Sequence, residues 1–308
     1  MLPNEGKRFR VLRYSGSDED RHDHWLRFRN EGVGGSDVAG IMGLSSWASP
    51  ISIWNQKTGR VEPEDISGKE VVEWGTRLEP LIREKFKSMH PEMRVLHPDC
   101  TLISIDRPWA HANLYGFVRD PEMGWGVLEI KTAQYDSGWF DDEGNETVPL
   151  YYQTQAIHYL SVTGYKFVRF AVLIRGCIYI ERLFIPDEED MQMVVDSVDE
   201  FWHEFVEKDV PPTLIVGSPD ESRSLYGMYV DHDSEYEDVS GIEEWEQRLL
   251  DYDLEAQREK DAKAQRALLG NEIKARIGDG LGLRTGSYEV KWVRSEKRDS
   301  GLRIKQIA

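Results

Sequence analysis

The stretch Gly124–Thr132, GWGVLEIKT, places an acid and a base two residues apart inside an otherwise apolar run. Side chains of a β-strand alternate between its two faces, so Glu129 and Lys131 are expected on one face. Leu128 and Ile130 then point into the core. Burying an acid beside a base costs free energy unless something binds there, and a divalent metal with a water or phosphate is the natural candidate. The alternative is an edge strand with a salt bridge across one face.

Composition describes a globular chain of 308 residues with 40% hydrophobic and 11% aromatic content. No apolar run reaches the roughly 18 residues of a membrane span, and the N-terminus lacks a signal-peptide core. Two cysteines provide neither a disulfide framework nor a metal quartet. These features predict a cytoplasmic protein without a membrane partner.

The net charge of −18 argues against a protein that coats nucleic acid non-specifically. It does not exclude an enzyme that passes DNA through a local basic channel, because a total says nothing about distribution. A site rich in carboxylates would itself add to the negative total.

The order of segments predicts four regions. Residues 1–21 are polar and are expected to form an N-terminal arm, and residues 22–212 carry the helix and strand patterns of the core. Residues 213–240 are rich in Ser, Gly, Asp and Tyr and are interpreted as a linker. Residues 241–308 predict one long charged helix followed by a basic hairpin that includes Arg298 and Lys297.

Within the core, residues 70–89 predict an amphipathic helix with Glu79 inside its apolar stripe; the alternative for Glu79 is a solvated flank. Strands are predicted over 93–105 and 112–118, as a meander leading into the strand of Glu129. A further helix is predicted between Pro149 and Gly164.

Polar residues on two predicted helices carry further expectations. Ser36 or Asp37 is predicted as a helix N-cap after a glycine turn, whose backbone N–H groups could hold an anion. His158, on the helix after Pro149, is expected to be a core or groove histidine rather than a base.

Five ordered motifs resemble one family. They are W-x-x-x-R…GGSD at Trp25, Arg29 and Gly34–Asp37, SSWASPISIWNQKTG at 45–59, WGTRLEP at 74–80, GVLEIKT at 126–132 and YYQTQAIHYLSVTG at 151–164. Together they resemble the PD-(D/E)XK nuclease superfamily and, within it, the YqaJ-type viral recombinase exonucleases related to lambda exonuclease. The resemblance covers roughly residues 22–205.

The resemblance implies an α/β (α+β) fold with a restriction-endonuclease-like core, in which helices flank a central mixed sheet. A C-terminal helix and β-hairpin form an extension. The implied activity is 5′-to-3′ digestion of one strand from double-stranded DNA ends with Mg²⁺ or Mn²⁺, in phage-type recombination. The implied partners are other copies of the chain, as a trimer, and a single-strand annealing protein.

The same resemblance implies four catalytic positions. Glu129 would ligate the metal and Lys131 would orient or activate the attacking water. Glu79 would support the metal shell, and Gln155 would orient Lys131 or the water.

It also implies a pocket for the 5′-terminal phosphate at Arg29 and Ser36. A guanidinium fork suits a phosphate dianion, and a hydroxyl beside backbone donors adds hydrogen bonds.

Position 115 departs from the family pattern. Tyr115 stands in Ala112–Val118, ANLYGFV, where the family has an aspartate that ligates the metal. A phenol with a pKa near 10 is a poor ligand for a hard dication, and it is bulkier than a carboxylate. Either cleavage is weakened or lost while the DNA site is kept, or another acid completes the site, such as Asp120 or Asp106.

Two functional hypotheses follow. The first is a metal-dependent DNA exonuclease weakened or inactivated by Tyr115. The second is a catalytically inactive protein that grips DNA ends or a recombinase partner. A purely structural explanation would leave the motif residues as unrelated surface groups, which their ordered coincidence disfavours.

Overall fold

The structure is a computed structural model that describes residues 2–62, 65–141, 143–213, 215, 217–229, 236–295 and 298–307. Parts of the predicted linker, residues 214, 216 and 230–235, lie outside this range, as does Lys297 of the predicted hairpin. The chain forms two compact units, Met1–Asp231 and His232–Ala308.

The first unit alternates helices with short strands. Its helices are α1 (Asp18–Arg29), α2 (Gly35–Ile41), α3 (Pro50–Lys57), α4 (Glu70–Met89), α5 (Leu150–Thr163), α6 (Glu188–Glu200) and α7 (Pro219–Met228), with a π-helical turn at Phe201–Val206 continuing α6. Its strands are β1 (Phe9–Leu12), β2 (Arg94–Leu96), β3 (Thr101–Ser104), β4 (His111–Asn113), β5 (Gly116–Asp120), β6 (Gly124–Ala133), β7 (Val168–Ile174) and β8 (Ile178–Phe184).

A five-stranded mixed sheet forms the centre, in the order β2-β5-β6-β7-β8. Strand β6 pairs antiparallel with β5 and parallel with β7, and α5 makes the connection to β7. The strand with the acid and the base is therefore interior, and the edge-strand alternative is wrong. Helices packed on this sheet confirm the predicted fold class.

The two faces of β6 meet different helices. Leu128 and Ile130 pack with Ile82 and Phe86 of α4. Val127 packs with α5 residues on the opposite face. Alternation then directs Glu129 and Lys131 to one face, as the sequence predicted, and this is the face towards α5.

A second sheet, in the order β1-β3-β4, corrects two expectations. Strand β1 lies inside the segment expected as an arm, and its Phe9 is completely buried. The single strand predicted over 93–105 is wrong, because β2 joins the central sheet while β3 joins this one. Between β2 and β3, Pro98 has no N–H to donate and Asp99 adopts a φ of 40°. The chain therefore cannot continue as one strand from β2 into β3.

Helix boundaries agree with the pattern at two sites and differ at one. Helix α4 matches the predicted range, and α5 ends at Gly164, whose φ of 73° is left-handed. Helix α2 begins after Gly34, so neither Ser36 nor Asp37 is its N-cap. Asp37 instead lies one turn inside, where its side chain accepts the Gly34 N–H.

The second unit contains α8 (Glu243–Ile277) and three antiparallel strands, β9 (Gly282–Arg284), β10 (Tyr288–Ser295) and β11 (Arg298–Gln306). The predicted long helix and terminal hairpin are both present, with β9 added beside β10. Across the described ranges, no helix is long and apolar enough to cross a bilayer.

Candidate active site and phosphate pocket

One cleft of about 660 Å³ in the first unit collects side chains that are far apart in sequence. Five of the predicted site residues line it: Arg29, Ser36, Glu79, Tyr115 and Gln155. They come from α1, α2, α4, the β4–β5 connection and α5. The fold therefore brings the predicted phosphate residues together with Glu79 and Gln155 of the predicted catalytic group in one cavity.

Glu129 and Lys131 project from β6 below this cleft and contact each other. Glu129 is completely buried, and Lys131 Nζ lies 2.8 Å from its Oε1. Lys131 Nζ also donates to Gln155 Oε1 at 2.8 Å. Gln155 Nε2 donates to the Tyr159 hydroxyl at 2.7 Å, which fixes the orientation of the amide because only its oxygen can accept from Lys131.

Burial and neighbouring charges shift the pKa of both Glu129 and Lys131. Burial raises the pKa of Glu129, and the nearby charge of Glu79 raises it further, against the opposing effect of Lys131. Burial lowers the pKa of Lys131, but Glu129 and the neighbouring phenols outweigh burial and raise that pKa overall. Lys131 is thus an ammonium, held 4.4 Å from the centre of the Tyr152 ring.

Tyr115 occupies the place of the expected metal ligand. Its ring centre lies 6.0 Å from Lys131 Nζ. Burial raises the pKa of Tyr115 to about 12, and the charges of Glu129 and Glu79 contribute to the rise. A neutral phenol therefore stands where the family pattern has a carboxylate.

Neither alternative acid reaches this position. Asp120 pairs with Arg169 at 2.7 Å and caps the β5–β6 turn. It is opposite Gly124 in the ladder, roughly 16 Å along β6 from Glu129 at about 3.3 Å per residue. Asp106 is exposed and lies 3.5 Å from Arg8. The expectation that one of these acids completes the site is wrong.

The remaining carboxylates fit one divalent cation. Glu129 Oε2 is buried and has no hydrogen-bond partner among the described residues, as expected of a ligand atom. Glu79 lines the cleft and pairs with Arg83, and burial raises its pKa. Mg²⁺ is commonly held by one or two carboxylates together with waters and substrate phosphates. A third acid is missing, since no three His, Cys, Asp or Glu side chains converge in the described part of the chain.

Arg29 and Ser36, the two residues predicted as an anion pocket, also line the cleft and contact each other. Arg29 Nη2 donates to Ser36 Oγ at 3.0 Å and to Asp37 Oδ1 at 3.3 Å. The Arg29 side chain is 30% exposed, and its guanidinium lies 5.7 Å from the centre of the Trp25 ring. A guanidinium that is held in place yet open to the cleft suits a phosphate group.

Two residues behind this pocket were missed as site residues. Asp37 is 4% exposed, and Lys57 Nζ lies 2.7 Å from its Oδ2. Lys57 also donates to the Arg29 carbonyl oxygen at 2.8 Å. Burial raises the pKa of Asp37, but Lys57 and Arg29 outweigh burial and hold that pKa well below its usual range. The sequence offered only the GGSD and WNQKTG motifs as signals for this pair.

Gly35 connects the two ends of the cleft. A Cβ at Gly35 would lie 2.5 Å from Tyr159 Cε1 and 3.1 Å from Gln155 Cγ. Only glycine allows α2 to approach α5 this closely. Tyr159, which orients Gln155, was also missed because an aromatic residue on a buried helix usually contributes only packing.

His158 is a core histidine, as predicted. It is 1% exposed, and its Nε2 donates to the His111 carbonyl oxygen at 2.9 Å. Burial lowers the pKa of His158 and of His111 to about 4 each.

Comparison with known proteins agrees with the geometry. Residues 24–166 match the family model of the YqaJ-like viral recombinase domain. The uncharacterized protein YqaJ of Bacillus subtilis (strain 168) is 29% identical over 297 residues, which cover 93% of this chain and 87% of YqaJ.

Solved structures are more distant. An alkaline exonuclease, LHK-Exo, from Laribacter hongkongensis is 18% identical with a TM-score of 0.47, covering 61% of this chain and 93% of that one. LHK-Exo in complex with dAMP gives 19% identity and the same TM-score. The matched range, residues 24–166, includes every site residue predicted above.

Proposed function

We propose that this chain binds 5′-phosphorylated ends of duplex DNA in the cleft, and that the cleft is a metal-dependent 5′-to-3′ exonuclease site of phage-type recombination. Hydrolysis is weakened or lost in this chain because Tyr115 replaces a metal ligand. The observation that carries the proposal is one cavity lined by Arg29, Ser36, Glu79 and Gln155, with Lys131 hydrogen-bonded to Gln155. The same proposal includes a homo-oligomer, a trimer by family resemblance, that passes single strands to an annealing protein.

Each side chain has a distinct task in this proposal. Arg29 and Ser36 bind the terminal phosphate and so place the scissile bond relative to β6. Lys131, fixed by Glu129 and Gln155, directs its ammonium at a water or at a phosphate oxygen. Glu129 and Glu79 would hold Mg²⁺ or Mn²⁺, which when bound supplies Lewis-acid activation and charge stabilisation.

Tyr115 favours a second candidate, a DNA-end-binding protein without catalysis. Its buried phenol interacts electrostatically with Lys131, Glu129 and Glu79, and its ring centre lies 6.0 Å from Lys131 Nζ. A neutral, bulky group there lowers affinity for a hard cation while leaving the Arg29 pocket unchanged. Both candidates require end binding, and only the first requires cleavage.

The test is digestion of a 5′-phosphorylated linear duplex with Mg²⁺ or Mn²⁺ by the full chain and by its Tyr115→Asp variant. We expect the variant to cut at least about 100-fold faster, since a correctly placed metal ligand contributes several kcal/mol of transition-state stabilisation. Tyr252→Asp is the matched control, because Tyr252 is 78% exposed on α8 and outside the cleft.

Three outcomes separate the candidates. Cleavage by the Tyr115→Asp protein alone supports the nuclease site and the inactivating effect of Tyr115. Equal, rapid cleavage by both proteins refutes that effect. End binding without cleavage by either protein, with affinity that falls as salt rises, supports the second candidate.

A further inference from the structure

One buried carboxylate joins the three helices that surround the phosphate pocket. Asp37 of α2 contacts Arg29 at the end of α1 and Lys57 at the end of α3. It also accepts the Gly34 N–H at 3.0 Å. Lys57 closes the arrangement by donating to the Arg29 carbonyl oxygen. Of these three charged side chains, only that of Arg29 is substantially open to solvent.

The charges of this group do not cancel. Two cations, Arg29 and Lys57, share one carboxylate, so the group keeps one net positive charge. Lys57 is 1% exposed and is closer to Asp37 than Arg29 is, at 2.7 Å against 3.3 Å. Lys57 therefore neutralises most of the charge of Asp37. Without Lys57, the carboxylate would neutralise Arg29.

The contacts also fix the direction of the guanidinium. Within the described residues, the hydrogen bonds of Arg29 to Ser36 and Asp37 both come from Nη2. The same guanidinium lines the cleft. With Nη2 held, the N–H groups of Nε and Nη1 remain as donors for a ligand, and the guanidinium keeps its positive charge.

We propose that Asp37 and Lys57 are positioning residues for phosphate recognition: Asp37 fixes the Arg29 guanidinium, and Lys57 offsets the Asp37 charge so that the positive charge of Arg29 remains available to the 5′-phosphate. This inference rests on the proposed function, because it assigns the ligand of the Arg29 pocket.

The experiment measures end preference by charge-matched substitution. Fluorescence anisotropy in EDTA gives the Kd of the full chain for a labelled duplex with a 5′-phosphate and for the same duplex with a 5′-hydroxyl. The proteins are wild type, Lys57→Met, Asp37→Asn, the double variant and Arg29→Met. Lys87→Met is the matched control, because Lys87 is exposed on α4 and pairs only with Glu84 among the described residues.

The expected preference follows the net charge behind the pocket. Lys57→Met lowers the preference for 5′-phosphate about tenfold, the effect of one unit charge roughly 12 Å away at an effective dielectric of about 20. Asp37→Asn keeps an oxygen that can accept from Arg29 and removes the negative charge, so it keeps or increases the preference, and the double variant restores it to within about threefold of wild type. The control matches wild type.

Each contrary result has a distinct meaning. If Lys57 and Asp37 only hold the fold, both single substitutions and the double variant lower the preference together, and the inference is wrong. If Lys57→Met does not fold, as judged by circular dichroism, a preference lost in both Asp37→Asn and the double variant still overturns it. If wild type and Arg29→Met show the same preference, the phosphate pocket itself is wrong, and the proposed function fails with it.

Discussion

The two ends of the cleft differ in how many partners the protein provides for a buried carboxylate. At the phosphate end, the buried Asp37 has three partners, Arg29, Lys57 and the Gly34 N–H. At the other end, the buried Glu129 contacts Lys131 through Oε1 alone, and its Oε2 has no hydrogen-bond partner within the described chain. Within the described residues, the Asp37 carboxylate has donors for both oxygens, and the Glu129 carboxylate keeps an oxygen without a donor.

This difference separates binding from chemistry. A pocket whose donors are already held by the protein binds its anion without rearrangement. A buried carboxylate oxygen without a donor costs free energy that folding alone does not offset, which is typical of functional sites. Tyr115 lies only at the second end, so its effect should fall on hydrolysis and spare end binding.

The largest expected effect comes from Lys131 in a protein that cuts. Lys131→Met in the Tyr115→Asp background should lower the cleavage rate about 1,000-fold, because the ammonium acts on charge that develops in the transition state. End binding in EDTA should stay within about threefold, since Arg29 is unaffected. Quenched-flow digestion and anisotropy measure the two quantities.

Removing Lys131 also leaves Glu129 buried without its counter-charge, so the fold must be checked. A Glu129→Gln and Lys131→Met pair provides a neutral version of the same shape. Rapid cleavage by the Lys131→Met protein would move the catalytic group away from β6.

A smaller effect, on both ends at once, is expected from Gly35→Ala. The new Cβ would meet the Tyr159 ring, so α2 or the ring must shift, at about 1–3 kcal/mol of unfolding free energy. Because Ser36 and Gln155 flank this contact, end preference and cleavage in the Tyr115→Asp background should both fall. Gly68→Ala is the control, since nothing lies within 4 Å of its Cβ. Loss of only one of the two activities would show that the ends are independent.

The smallest expected effect is a loss of folding stability at acidic pH. His158 and His111 have pKa values of about 4 in the fold, against about 6.5 when unfolded. The unfolded chain binds more protons between these values, so this contribution is complete above pH 6.5 and declines as the pH falls towards 4. At pH 5 the loss is roughly 2 kcal/mol per histidine.

Urea unfolding at pH 7.5 and pH 5.0 measures this loss. The raised pKa of Glu129 acts in the opposite direction, so the test is the difference between wild type and His158→Gln. The variant should lose about 2 kcal/mol less between the two pH values. Equal losses in the two proteins would mean that His158 is protonated in the fold without penalty.

The local pattern predicted the elements that hold the catalytic group. Apolar spacing predicted α4 and α5, and Gly164 predicted the end of α5. Strand alternation predicted that Glu129 and Lys131 share one face. These features depend on neighbours within one or two turns, which a sequence displays directly. The motif resemblance then indicated which distant residues would meet.

Features that depend on distant contacts were not predicted. Strand β1 pairs with β3, with Phe9 opposite Ser104, and β2 pairs with β5 rather than with β3. Both pairings join residues that are distant in sequence. Lys57 looks like any lysine at the end of a helix until Asp37 and the Arg29 carbonyl surround it. Gly35 was assigned to a turn, although the space left by Tyr159 is what requires it.

The position of Tyr115 in the fold affects how easily this site can change during evolution. Tyr115 lies between β4 and β5, outside both ladders, so another side chain fits there without moving a paired strand. Codons for tyrosine and aspartate differ at a single base. Under the proposed function, a lineage could lose or regain hydrolysis by one point mutation at this position, while the buried group around Asp37 would continue to support the binding of DNA ends.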